Sequence, residues 1–312
     1  MQKVHIKWPN RKDFAFTIID DTDNSFTHNV KPVYRLLKKC NILTTKTVWV
    51  FPPRDTYTGS SLEDKNYLEF VTELMKDGFE IALHNVGSGK YTRDEIKEGI
   101  ERFNELLGFY PHIQINHASN PDNIYWGYKR FAAPLSWVFK WFKSRRKFFG
   151  ENPNSKYFWG DLAKTHIKYI RNRVFNSINT YKYDPYMPYK VRSKDKYSNY
   201  WFSSSDGHTV HEFNNLIEEE NVNSLEREGG CCIVYTHFAS GFVTKDGQLN
   251  RQFERNILRL AGKKGWFVPV GQLLDFLLSL HGTNNRVKYS YLAKLDATWL
   301  VHRIMKKLIY NR

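Results

Sequence analysis

Apolar and polar positions alternate along the chain in short strand-like runs separated by longer helix-like ones. Phe14, Phe16 and Ile18 fall on one face of an extended segment and Ala15, Thr17 and Ile19 on the other, so the first strand has apolar character on both faces and predicts burial on both. A helix is expected over 28–40, then a strand over 47–51 closed by Pro52 and Pro53. Within 62–76, Leu68, Val71, Leu74 and Met75 share one side of a helix, and 79–83 is the next strand. Thr92, with Glu95 three residues on, forms a capping box for a helix that runs to Leu107 and stops at Gly108. A fourth strand covers 112–116. This βαβαβαβ order with short connections implies parallel strands in a layered sheet or a barrel.

The second half repeats the rhythm with strands at 200–202, 231–236 and 266–269 and helices at 210–220, 250–262 and 271–280. Between the halves, 124–188 reads as an insertion rich in Trp, Tyr, Phe, Lys and Arg. Within it, over 134–149, Leu135, Val138, Phe139, Trp141 and Phe142 stand beside Lys140, Lys143, Arg145, Arg146 and Lys147, the composition of a basic interfacial helix. A second such stretch closes the chain, with Leu292, Leu295, Trp299, Ile304 and Leu308 read as one stripe and Arg303, Lys306 and Lys307 nearby. The two readings of these helices are packing on the parent fold and contact with an anionic membrane surface. The expected organisation is therefore an α/β domain over 1–286 that contains the insertion, followed by a basic amphipathic helix over 287–312.

Composition narrows the class of partner. A formal net charge of +15 suits an anionic one. No Cys/His finger spacing, basic heptad region or aromatic RNA-binding signature accompanies it, so no nucleic acid is expected. The three cysteines, Cys40, Cys231 and Cys232, give no disulfide framework and point to a reducing compartment. With no apolar core of signal-peptide length near the start and no run of about 18 apolar residues, a cytoplasmic protein is expected, peripheral on the inner face of the membrane if the basic helices dock there.

Chemistry collects at the predicted strand ends. The first strand runs into Asp20, Asp21 and Asp23, three acids within four positions, whose mutual repulsion needs a cation, hydrogen bonds or solvent to offset it. The third ends in His84, ahead of a loop containing Gly87, Ser88 and Gly89, and the fourth in Asn116 and His117. Later strands lead to Asp206 and His208, and to His237. In a parallel β/α array all these ends converge on one face.

An Asp pair after the first strand, a His after the third and a His after a late strand resemble the polysaccharide deacetylases of carbohydrate esterase family 4. The resemblance covers roughly residues 13–280 and implies a distorted (β/α) barrel of the NodB-homology type. The segment Thr17-Ile-Ile-Asp20-Asp21-Thr22-Asp23 is similar to the family's Thr-Phe-Asp-Asp-Gly motif, which implies Asp20 as catalytic base and Asp21 as metal ligand. His84 matches the first position of the family's His-Ser/Thr-x-x-His motif, while Ser88 stands where the second His would be. His117 is the foremost substitute, with Asp23 and His208 as alternatives. Thr236-His237 is similar to the late Leu-His motif and implies His237 as general acid.

On this resemblance the chain is expected to be a hydrolase that removes N-acetyl groups from an amino sugar in surface-polysaccharide biosynthesis, using a divalent metal, with zinc the expected ion. The carbohydrate substrate would be nucleotide- or lipid-linked, with Asn116, Trp126, Asp206 and His208 contributing to its binding. Trp49, Tyr125 and Trp201 join Trp126 as candidates to stack on sugar rings. Two other classes compete: a non-catalytic glycan-binding protein on the same barrel, and a glycosyltransferase using Asp21-Thr-Asp23 as a metal motif.

Overall fold

The computed structural model describes residues 6–142 and 147–310. Eight strands are β1 (Phe14–Asp20), β2 (Thr45–Val48), β3 (Glu80–Leu83), β4 (Ile113–Gln114), β5 (Tyr169–Phe175), β6 (Tyr200–Asp206), β7 (Cys231–Thr236) and β8 (Gly265–Phe267). Helices α1 (Thr27–Lys39), α2 (Lys65–Lys76) and α3 (Arg93–Leu107) connect the first four strands. The aromatic stretch carries α4 (Leu135–Phe142), α5 (Gly160–His166) and the short α6 (Thr180–Tyr183). Then come α7 (Val210–Leu216), α8 (Glu219–Arg227), α9 (Arg251–Ala261), α10 (Val270–His281) and α11 (Tyr289–Tyr310). The expected helix over 210–220 is thus two helices. As anticipated, Thr92 and Glu95 form a capping box and Gly108 ends α3 in a left-handed conformation.

Strands β1 to β7 are all parallel, and β1 pairs with both β7 and β2, closing the barrel. Closure is uneven. The β1–β2 pairing involves only Ile19 and Asp20 at the end of β1, whereas β8 pairs with the same edge at Phe14 to Phe16 near its start. The barrel is therefore closed by the end of β1 against the start of β2, and β8 fills the gap beside the start of β1. This is the distorted (β/α) barrel expected.

Alternation along β1 does what its sequence predicts. Phe14, Phe16 and Ile18 join Val30, Val33 and Leu37 of α1 and Ile257 of α9 in an outer core. Ala15 and Ile19 join Ile113, Ile170 and Ile233 inside the barrel, with Leu273, Leu274 and Leu277 of α10 in the same core. The cysteines at 231 and 232 are free and buried.

Two sequence expectations are corrected. The stretch 124–188 is not wholly an insertion, because it contains the barrel strand β5; its Arg171, Asn172 and Arg173 are buried, so the strand lacks an apolar signature. The stripe on α11 is also divided. Leu295 is buried and Leu292 and Trp299 pack on the core, but Ile304 and Leu308 lie nine residues beyond Leu295 and Trp299, half a turn round a helix of about 3.6 residues per turn, and are exposed. Lys143, Arg145 and Arg146 of the expected interfacial helix lie outside the described residues. Among the described residues no helix is long and apolar enough to cross a membrane.

Candidate metal and catalytic site

Strand alternation separates the three acids. Asp20 continues the outward face of Phe14, Phe16 and Ile18, and there it meets Lys46 of β2, its register partner, at 3.0 Å. Tyr34 of α1 donates to Asp20 Oδ2 at 3.0 Å and the Phe238 amide donates to Oδ1 at 2.9 Å. Burial pushes the Lys46 ammonium down, but Asp20 outweighs it and holds the lysine charged. Asp20 is fully buried and does not line the cavity at the barrel mouth, where a substrate would have to meet it. The base expected at Asp20 is therefore corrected: this acid is half of a buried ion pair behind the site.

Asp21, on the opposite parity, enters the barrel mouth. Arg171 of β5 reaches it from across the barrel, Nη1 donating to Oδ1 at 3.2 Å and Nη2 to Oδ2 at 2.7 Å. Burial alone would raise the Asp21 carboxyl. Arg171, followed by His84 and His237, more than offsets this and lowers it, so the carboxylate is ionised at neutral pH. Asp21, expected as the metal ligand, is thus held by a guanidinium instead.

The ligand geometry gathers around Asp23. Its Oδ1 lies 3.2 Å from His84 Nε2 and 3.4 Å from His117 Nε2, and its Oδ2 lies 3.3 Å from His237 Nε2. His84 Nδ1 donates to the Ile115 carbonyl at 3.0 Å, which fixes the tautomer and leaves the Nε2 lone pair facing Asp23 in the neutral ring. His117 is held in the same way. Its Nδ1 contacts Asn120 Oδ1 at 3.0 Å, and that amide is oriented by donating to the Gly87 carbonyl and accepting from the Gly89 amide. Gly89 has φ +114°, a conformation open to glycine, and a Cβ there would crowd Arg54.

These atoms fit a cation. Neither Asp23 Oδ1 nor His117 Nε2 has a hydrogen-bond partner although both are buried. Asp23 Oδ1 and the Nε2 atoms of His84 and His117 face one another at ion-pair distance, and without an ion between them Asp23 outweighs burial and raises the His117 imidazole. Two ligand atoms about 2.0–2.1 Å from a tetrahedral ion stand roughly 3.3–3.4 Å apart, close to the two distances from Asp23 Oδ1. Asp23, His84 and His117, whose ligand atoms all lie within 4.8 Å of one another, can hold a metal ion. Two imidazoles and a carboxylate suit a divalent transition ion with a position left open. Ser88 is no ligand; its hydroxyl donates to Asp55 at 2.7 Å.

His237 stands on the other side of Asp23, with Nδ1 3.3 Å from the His208 carbonyl. Burial pushes its imidazole down, but Asp23 and Asp21 outweigh burial and raise it, favouring the protonated form. The His208 ring lies 4.3 Å from that of His237, and burial followed by His237 lowers it.

The site opens into a cavity of about 760 Å³ whose walls include Asp21, Asp23, His84, His237, Asn116, Trp126, Asp206 and His208. Asn116 uses its amide on both backbone groups of Ile124, and Asp206 pairs with Lys306 at 2.8 Å. Trp49 and Trp201 are fully buried and cannot meet a sugar. Arg171, Lys46 and Tyr34 escaped the sequence reading. The strand Tyr169-Ile-Arg-Asn-Arg-Val-Phe175 carried the signal for Arg171, masked by its basic, aromatic surroundings.

No family model and no curated protein sequence matches the chain. Its fold is nevertheless that of solved structures. A Mycobacterium smegmatis protein assigned to the polysaccharide deacetylases shares 14% identity over 91% of this chain and 96% of that one, with a TM-score of 0.50. A Pseudomonas aeruginosa PAO1 protein with the same assignment shares 14% over 89% and 95%, with a TM-score of 0.54. The Puue allantoinase shares 12% over 89% and 94%, with a TM-score of 0.55. At such identities the likeness establishes the fold, a NodB-type β/α barrel.

Proposed function

We propose, from a NodB-type barrel with two imidazoles and a carboxylate converging at its mouth, that the protein is a metal-dependent hydrolase that removes N-acetyl groups from an amino sugar. The observation that carries this reading is the division of labour between the two inward acids. Asp23 faces His84 and His117, while Asp21 is kept ionised beside them by Arg171.

In this reading Asp23, His84 and His117 hold the ion, for which zinc suits the donor set. Such an ion would polarise the acetamide carbonyl and lower the pKa of a neighbouring water. Asp21 accepts the proton of the attacking water as its oxygen bonds to the carbonyl carbon. His237, across Asp23 and biased toward the imidazolium, gives a proton to the amine nitrogen as the C–N bond breaks. Acetate and a free amine are the products. Nitrogen leaves poorly without that proton, so an acid placed apart from the base answers a chemical need. Arg171 acts through Asp21 as a positioning residue. Trp126, half-buried on the cavity wall, offers a ring face for the sugar. The finer assignment, to surface-polysaccharide assembly, rests on the basic aromatic helices beside the cavity.

Release of acetate from N-acetylated amino sugars by metal-loaded protein tests the reading. It is expected from wild type and lost in Asp21→Asn; wild-type protein that binds a divalent ion but releases no acetate from any such sugar would overturn it.

A further inference from the structure

The cavity has two unlike ends. One holds the acids and imidazoles; the other is walled by Phe131, Phe139, Phe148 and Trp299. Phe131, Phe139 and Trp299 pack ring against ring, with centroids 4.7 to 6.0 Å apart, and so join α4 to α11. Single rings stack on sugars, and a wall of rings packed on one another also suits a hydrocarbon chain.

Between the two ends lie cations. Arg130 is covered by Trp126, Phe131 and Trp299 at 4.3 to 5.4 Å from its guanidinium carbon. Its hydrogen bonds run to the side-chain and main-chain oxygens of Asn172, neutral groups, and Asp296, the acid that acts on it, is shared with Arg173. Arg303 of α11 lines the same stretch and is exposed. A guanidinium pair between a sugar site and an aromatic wall suits a phosphate ester.

Outside the cavity the same two helices expose apolar rows. On α4, Trp137 is 69% exposed, Trp141 84% and Phe142 80%; on α11, Val301, Ile304, Met305 and Leu308 recur at helical spacing and are also exposed. Their charged neighbours are cationic. Lys140 is the charged residue of α4, and α11 carries Lys294, Arg303 and Lys307 besides Lys306, which is buried against Asp206 and Glu212, while its single acid, Asp296, is buried against Arg173. Exposed Trp and Leu beside Lys and Arg match an anionic lipid surface.

We infer that this face docks on an anionic bilayer and that the substrate is a lipid-linked sugar phosphate, with the sugar at Asp21 and Asp23, the phosphate at Arg130 and Arg303, and the hydrocarbon lying along the aromatic wall toward the face that α4 and α11 expose. The substrate half rests on the deacetylase reading above; the docking half does not.

The full chain is sedimented with phosphatidylglycerol vesicles and with phosphatidylcholine vesicles, and acetate release is compared between N-acetylglucosamine esterified through phosphate to a polyprenol and the free sugar. Binding is expected to phosphatidylglycerol, to weaken with salt, and to fall at least about tenfold in Trp137→Ser/Trp141→Ser at an unchanged melting temperature. The lipid-linked sugar should exceed the free sugar in kcat/KM by about a hundredfold, with Arg303→Gln removing at least about tenfold of that advantage. Wild-type binding by the double variant, or attachment to another protein with none to vesicles, overturns the docking surface. Equal turnover of free and lipid-linked sugar overturns the substrate class. Vesicle binding that the double variant loses, without acetate from either sugar, upholds docking and refutes both the substrate class and the deacetylase reading.

Discussion

Arg171 and Asp21 face each other across the barrel in a two-bond carboxylate–guanidinium pair, at 3.2 and 2.7 Å. The pair does more than hold a strand in place, because it keeps an acid ionised within a buried site. In Arg171→Met the Asp21 carboxyl loses the charge that holds it low, so the acid limb of the kcat/KM profile should move to higher pH. The rate at its optimum should fall about 10²-fold, with the metal retained. An unshifted acid limb would show that Arg171 does not act through Asp21.

The Asp20–Lys46 pair predicts a different phenotype. Removing one partner of a buried ion pair costs about 3–5 kcal/mol, so Asp20→Asn should lower the melting temperature sharply while turnover per folded molecule changes little. Asp20→Asn/Lys46→Met should recover stability relative to the single variant. Thermal melts alongside activity normalised to folded protein check both.

Metal content discriminates between His117 and Ser88. His117→Ala should lose the ion and the thermal stabilisation it gives, about 2.7 kcal/mol at a free concentration a hundred times Kd. Ser88→Ala should keep both, because its hydroxyl contacts Asp55 rather than the ligand cluster. Elemental analysis and melts with added zinc read the difference.

A general acid is needed most when the leaving group is poor. His237→Gln should slow acetamide hydrolysis by about 10²–10⁴-fold and slow an activated phenyl acetate far less. Comparable losses on both substrates would assign His237 a structural role.

Asp122 supplies a pH test behind the ligands, against Asn85 and Asn120. Burial pushes its carboxyl up to about 7, against a hydrogen bond from Asn85 at 2.5 Å. Folding favours its protonated form, so this group costs stability increasingly as pH rises from about 4, its unfolded value, through 7, and the full cost persists above. Asp122→Asn should therefore melt higher than wild type by a margin that grows from pH 5 to pH 8. A constant margin would contradict the assignment.

Much of this was legible in the residues. The strand rhythm up to β4, the capped α3, and the convergence of His84, His117 and His237 on one mouth follow from period and strand order. The placement of the acids differs from the motif match, although the information was present. Asp20 shares parity with Phe14, Phe16 and Ile18, and a residue on the helix-facing side of a barrel strand cannot reach the mouth. A motif match one position out of register concealed that. Strand β5 was hidden for another reason: its inward residues are charged, and they are stable there only because Asp21 and Asp296 meet them from segments more than 120 residues away in sequence. No local pattern encodes such pairing.

The central claim is that Asp21 is the base beside an ion held by Asp23, His84 and His117. Acetate release by zinc-loaded Asp21→Asn, measured on an N-acetylated amino sugar beside wild type with bound zinc quantified in both, tests it most directly. The account predicts wild-type release, one bound zinc in each protein, and a loss of at least about 10²-fold in the variant; near-normal release by zinc-loaded Asp21→Asn would contradict it.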